Sequence, residues 1–259
     1  MQKLEGKVAI ITGGSRGIGR ATALRLARDG ARVVVCARGL EALEEVVKEI
    51  QSAGGVALAV AADLRIPSEP SRVAALAAKT CGGIDIVVNN AGATKRGDFL
   101  QLSDDDWADG FALKFFGAVR MTRSAWPELK SRGGSVLNIS GAGGRTPGPE
   151  FTIGGSVNAA VLSFTKAMAD AGIRDGVQVN CINPGTIRTG RLQMRLASIV
   201  KEQKIDIETA ERRFVQESQV TRIGEPEDVA NLVAYVVGPE GRFLQGSLID
   251  LDGGSTKTI

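Results

Sequence analysis

The chain has 259 residues, 43% of them apolar, with 33 glycines and a formal net charge of +3. This size and composition suit one globular domain, and so mild and evenly mixed a charge argues against a nucleic-acid partner. Histidine is absent, which removes the commonest zinc ligand and any imidazole-based triad, so no metal site is expected.

The opening MQKLEGKVAIITGG enters a strand within a few residues. No apolar stretch is long enough for a signal peptide or a membrane span, so a cytoplasmic protein without membrane association is expected. Lys7 to Thr12 reads as the first strand and Ile18 to Asp29 as the first helix. Arg32 to Cys36 is a β-branched strand, Leu40 to Ser52 a helix, and Val56 to Ala61 a third strand. Ser71 to Lys79 (helix), Ile84 to Asn89 (strand) and Asp104 to Lys130 (one long helix or two) follow. Then come Ser135 to Ser140 (strand), Ser156 to Ala171 (helix), Val177 to Ile182 (strand), Glu225 to Val236 (helix) and a last strand near Ser247 to Leu251. Apolar strands alternating with helices predict an α/β fold with a parallel sheet covered on both faces. Cys36, Cys81 and Cys181 lie far apart in strand-like runs and read as buried free thiols.

The stretch from 188 to 220 departs from that rhythm. Leu192, Leu196, Ile199 and Val200 have helical spacing, but Arg188, Arg191, Arg195, Lys201, Lys204, Arg212 and Arg213 crowd around them. Two readings stand. One is a charged surface helix pair; the other is a helical lid over the C-terminal edge of the sheet, whose cations meet an anionic small-molecule substrate.

TGGSRGIG at 12–19 sits between a strand and a helix. Gly13 permits a tight turn, Gly17 lets the backbone approach phosphate, and Gly19 lets the helix pack closely. With Ser15, Arg16 and Ile18 they form a cradle at a helix N-terminus, where free N–H groups meet a pyrophosphate. The second strand ends in Ala37-Arg38 rather than in an acid. Arg16 and Arg38 would pair with a 2′-phosphate, so NADP(H) is favoured over NAD(H).

With Asp63-Leu64, NNAG at 89–92, PG at 184–185, Thr186, Thr189, RIGEPEDVA at 222–230 and DGG at 252–254, the chain resembles the short-chain dehydrogenase/reductase family over nearly its full length. The resemblance implies a Rossmann-like, doubly wound, seven-stranded sheet. It also implies a homotetramer or homodimer built on the long middle helices and last strand. Asp63 and Leu64 would lie beside the adenine, Asn89, Ala91 and Gly92 beside the cofactor, Pro184, Gly185 and Thr186 at the nicotinamide end, and Thr189 at the phosphates. Active members move hydride between nicotinamide and a carbonyl or alcohol, using a tyrosine, a lysine four residues later, a serine and an asparagine.

Those four positions fall here on Gly154, Asn158, Gly141 and Lys114. The chain's one tyrosine is Tyr235. Glycine donates no proton and asparagine carries no charge to tune a phenol, so the usual chemistry is not expected. Lysine and asparagine are nevertheless both present with their positions exchanged, which suggests a rebuilt site in which Asn158 accepts a hydrogen bond from Lys114. Ser140, Thr146, Glu150, Thr152 and Ser156 flank the vacated cleft. Glu150 is the only carboxyl among them, and a carboxyl enclosed by apolar surface can serve as a general acid. Arg145 in the same loop is a candidate for a substrate carboxylate. Three functions follow: an NADP(H)-dependent oxidoreductase of atypical mechanism, a silent cofactor-binding partner, or a non-redox enzyme in which Lys114 stabilises an oxyanion.

Overall fold

In the computed structural model, which describes residues 2–257, seven strands form one sheet: β1 (Val8–Thr12), β2 (Arg32–Ala37), β3 (Val56–Ala61), β4 (Ile86–Asn89), β5 (Ser135–Ile139), β6 (Gln178–Pro184) and β7 (Leu248–Leu251). Their spatial order is β3-β2-β1-β4-β5-β6-β7, and every neighbouring pair is parallel. The order reverses between β1 and β4, the switch point beyond whose strand ends ligands bind in open α/β sheets.

The helices are α1 (Gly17–Arg28), α2 (Leu40–Ser52), α3 (Glu69–Cys81), α4 (Asp104–Gly110), α5 (Gly117–Arg132), α6 (Thr152–Asp175), α7 (Gly190–Gln203), α8 (Ile207–Glu217) and α9 (Pro226–Val237). They cover both sheet faces because successive strand residues point to opposite sides. Ala9, Ile11, Val33 and Val35 pack with Leu26, Leu43 and Val233 on one face. Val8, Ile10, Val34 and Cys36 pack with Val73, Met121 and Leu129 on the other. Both faces of the inner strands are apolar, as the unbroken apolar runs require. All three cysteines are free and buried, and burial pushes the Cys36 and Cys181 thiols up to about 12.

Two differences from the sequence reading affect the site. The stretch from Asp104 to Lys130 is not one regular helix, because a π-helical turn, Phe111–Phe116, joins α4 to α5. Such turns add a residue to the helical register and redirect side chains, often at functional sites. Helix α6 also begins at Thr152, four residues earlier than its apolar periodicity suggests. The excursion over the sheet edge forms α7 and α8, packed on a small cluster of their own: Leu192, Leu196, Ala210, Phe214 and Ile223. Among the described residues, no helix is long and apolar enough to cross a membrane.

Candidate active site

The turn after β1 is shaped by its glycines. Gly13 and Gly17 have φ of +66° and +54°, the left-handed region in which a side chain is strained. A Cβ at Gly19 would lie 2.6 Å from Asn90 Nδ2, so only glycine allows α1 to start this close to the strand. Arg16 occupies the N-cap without a side-chain hydrogen bond, which leaves the first N–H groups of α1 open to an anion. Ser15 and Ile18 are partly exposed beside them, and Arg16 and Arg38 are exposed past the ends of β1 and β2. Across the cradle, Thr189 packs toward Gly17, its Cγ2 3.1 Å from where a Cβ would stand. Asp63 accepts a hydrogen bond from the Arg65 N–H (3.1 Å), next to the buried Leu64.

Asn89, expected beside the cofactor, has its side chain tied into the sheet. It is buried, and its Nδ2 donates to Thr122 Oγ1 (3.0 Å) and Asn138 Oδ1 (2.9 Å). The side chain therefore knits β4 to α5 and β5 beneath the cleft. Its neighbour braces the glycine turn: Asn90 Nδ2 donates to the carbonyls of Thr12 (2.9 Å) and Gly13 (3.3 Å). Thr12 Oγ1 in turn accepts from the Asn90 and Ala91 N–H groups, both at 2.9 Å. Asn90→Ala removes the brace and leaves two carbonyls short of a donor. We expect dinucleotide affinity to fall roughly tenfold, in line with ~1 kcal/mol per lost hydrogen bond plus desolvation. Fluorescence titration would measure it, and unchanged affinity would show that the turn is held by its glycines alone.

Lys114 projects from the π-helical turn into the cleft, where its stem lies against Gly92; a Cβ there would fall 2.9 Å from Lys114 Cδ. Its ammonium donates to Ser140 O (2.7 Å) and to Asn158 Oδ1 (2.6 Å). An ammonium has three donors, so one remains. Burial, reinforced by the Arg191 guanidinium, lowers its pKa to about 8. Asn158 is buried, and its Nδ2 takes up the room that a Cβ at Gly141 would need, 2.9 Å away. Ser140 is committed elsewhere, since its hydroxyl donates to Asn158 O (3.0 Å). It clasps α6 to the end of β5.

The space that a side chain at Gly154 would occupy is filled. The Phe151 ring lies directly on Gly154, close enough that a Cβ would overlap it, and its other edge is 2.8 Å from a notional Cβ at Gly143. Two glycines thus make a slot for one ring, and the Arg96 guanidinium caps it at 4.7 Å from the ring centroid. Sequence reasoning missed this slot and Arg96. Its one sequence signal is the spacing of Gly143 and Gly154 around a phenylalanine.

Several candidates lie outside the cleft. Glu150 is exposed on the short turn Pro149–Phe151, the surface placement rather than the enclosed one that a general acid would need. Arg145 turns toward β7, where its Nε lies 3.4 Å from Asp250 Oδ1, and so is not placed for a substrate. Arg188 pairs with Glu211 and Glu225, which raises its pKa. Arg212 donates to Thr209 Oγ1 and Arg213 to Gln203 Oε1, both within the excursion. Arg191 differs, as its guanidinium reaches across to Gly92 O. Tyr235 is half-exposed on α9, the helix packed on α1.

Comparison with known proteins agrees with this architecture. Residues 7–198 match the family model described as short chain dehydrogenase. The chain belongs to the short chain dehydrogenase family. It is 38% identical to an uncharacterised oxidoreductase of Mycobacterium tuberculosis, over 99% of this chain and 94% of that one. L-Sorbose reductase of Gluconobacter frateurii, solved with NADPH and L-sorbose, superposes with a TM-score of 0.96 at 31% identity, covering 100% of both chains. A Burkholderia cenocepacia short chain dehydrogenase in complex with NADP gives 0.86 at 32% identity, covering 98% of this chain and 99% of that one. The family relationship and the doubly wound fold are therefore as expected from the motifs.

Proposed function

We propose that this protein is an NADP(H)-dependent oxidoreductase acting on a carbonyl or alcohol, with Lys114 as the proton donor in place of a tyrosine. The observation that carries this reading is the Lys114 ammonium, fixed by Ser140 O and Asn158 Oδ1 with one donor left over. The residues present fit the cofactor. Gly13 and Gly17 leave the cradle open at positive φ, α1 begins with uncapped N–H groups, and Arg16 and Arg38 suit a 2′-phosphate. The relatives solved with NADPH or NADP support the same choice. When bound, the nicotinamide supplies or accepts hydride.

The chain's own part is proton transfer and orientation. For reduction, the proton on Lys114 Nζ passes to the carbonyl oxygen, leaving a neutral amine; for oxidation, the amine takes it back. A pKa near the working pH suits both directions. Asn158 and Ser140 O aim the ammonium, and Phe151 closes the wall where the family places its phenol. The excursion formed by α7 and α8 acts as the lid, and an apolar groove of about 430 Å³ between α5 and α6, lined by Trp126, Phe164 and Met168, is the face for homo-oligomer assembly.

The function is tested by following NADPH oxidation across aldehydes, ketones, quinones and acyl thioesters, with the alcohol product quantified against NADPH consumed. Tight NADPH binding without turnover on the whole panel would instead favour the silent partner. The cofactor choice has its own test. Arg38→Asp replaces a cation with an acid able to hold ribose hydroxyls, and is expected to weaken NADPH at least tenfold while NADH affinity holds or rises. Equal loss for both cofactors would count against a 2′-phosphate site at Arg38.

A further inference from the structure

Two arginines on the elements that follow β4 and β6 stand on aromatic rings. Some arginines, such as Arg65, Arg188 and Arg222, pair with nearby carboxylates, and Arg120 lies over Phe116. Arg96 and Arg195 make no such ion pair among the described residues. Each is instead braced by a phenyl ring: Arg96 over Phe151 at 4.7 Å, and Arg195 over Phe214 at 4.9 Å. The ring faces hold the guanidinium groups without neutralising them.

Topology places both on the substrate side. Arg96 follows β4, Phe151 follows β5 and Arg195 follows β6, on the opposite half of the sheet from β2 and β3, where Arg38 and Asp63 stand. Arg191 and Arg195 are four residues apart on α7 and so share a face, and Arg191 already reaches Gly92 O. That face therefore looks onto the 92–97 loop. The loop is itself anchored, because Gly97 N–H donates to Glu150 O (3.1 Å). Burial first and Arg195 second hold the Arg96 pKa below the ordinary arginine range, with Glu150 opposing.

We propose that Arg96 and Arg195 together form a recognition site for an anionic group, a carboxylate or a phosphate, carried by the substrate. The proposal rests on the oxidoreductase reading only for the word substrate; the anion site is defined by the two guanidinium groups. A bound oxyanion would relieve their repulsion and engage two forks of N–H donors. It would tie the loop after β4 to α7, which couples substrate binding to the seating of the excursion over the cleft.

The test is calorimetric titration of the NADP⁺-loaded protein with malonate and, separately, with inorganic phosphate. Binding of at least one probe is expected, weakened by added salt and weakened roughly tenfold to a hundredfold in both Arg96→Gln and Arg195→Gln. Arg28→Gln, on α1, should leave it unchanged. Stronger binding of malonate would assign the site to carboxylates, and stronger binding of phosphate to phosphate esters. No binding of either probe would overturn the proposal, as would binding insensitive to both substitutions. Loss of anion binding in the two variants, from a protein that turns over no substrate, would sustain the site and sink the oxidoreductase reading.

Discussion

Replacing Lys114 by alanine should lower kcat/KM by roughly 10²–10⁴-fold, the usual worth of a general acid, while NADPH affinity stays within a few-fold of the parent. The ammonium is held in the cleft by two fixed acceptors, and the proposed mechanism seats the substrate oxygen at its remaining donor. Because its pKa is lowered to about 8 by burial and by Arg191, reduction should decline as pH rises through about 8, when the donor proton is lost. Cys181, pushed up to about 12, remains neutral across that range and does not alter the profile. The same shift has a consequence for stability. A lysine at 10.5 when unfolded and about 8 when folded binds more protons in the unfolded state between those values, so stability rises with pH across that window. The increment is at most about 3 kcal/mol by the pKa difference, and Lys114→Met should abolish it. A pH–rate profile and denaturant titrations at pH 7 and 10 would check both. A parent-like rate in Lys114→Ala would remove lysine from the mechanism.

The architecture was legible in the sequence because it rests on local signals. Apolar runs of five or six residues flanked by glycine dictate buried parallel strands, and the observed β2 and β3 differ from their expected limits by at most one residue. The glycine turn was legible for the same reason, since positive φ and close approach leave glycine as the residue that fits. The absence of a tyrosine at Gly154 followed only from the family resemblance, whose motifs set the positions compared. What the sequence could not show was how the vacancy is filled. Phe151 reaches Gly154 and Gly143 because α6 begins four residues early, and no periodicity reports a helix start inside a glycine- and proline-rich loop. The π-helical turn under Lys114 is likewise invisible, because FALKFF has no spacing that separates it from a regular helix. Arg188 and Arg191 lie three residues apart and look alike in the sequence, yet one is tied to Glu211 and Glu225 while the other spans the cleft. Partners distant in sequence decided each of these cases.

Gly154→Tyr, which restores the phenol of the family pattern, should destabilise the protein and gain no activity. A Cβ at this position overlaps the Phe151 ring, and the ring is confined on its far side by Gly143 and capped by Arg96. Overpacking of this kind typically costs about 1–3 kcal/mol, which for a chain of this size lowers Tm by roughly 2–4 °C per kcal/mol. The new phenol would also lack a tuning cation in its own helix, since Asn158 stands one turn on. If the slot is the cause, adding Phe151→Ala should recover most of the lost Tm, because the double variant exchanges one ring for another in the same volume. Adding Lys114→Asn and Asn158→Lys to that pair should then move proton transfer from the ammonium to the phenol, with a pH–rate profile no longer governed by a group near 8. Thermal melts of the single, double and quadruple variants separate these steps. A Gly154→Tyr protein that melts with the parent would show that Phe151 leaves its slot freely. The exchange of Lys114 and Asn158 would then have to be explained without the packing of that ring.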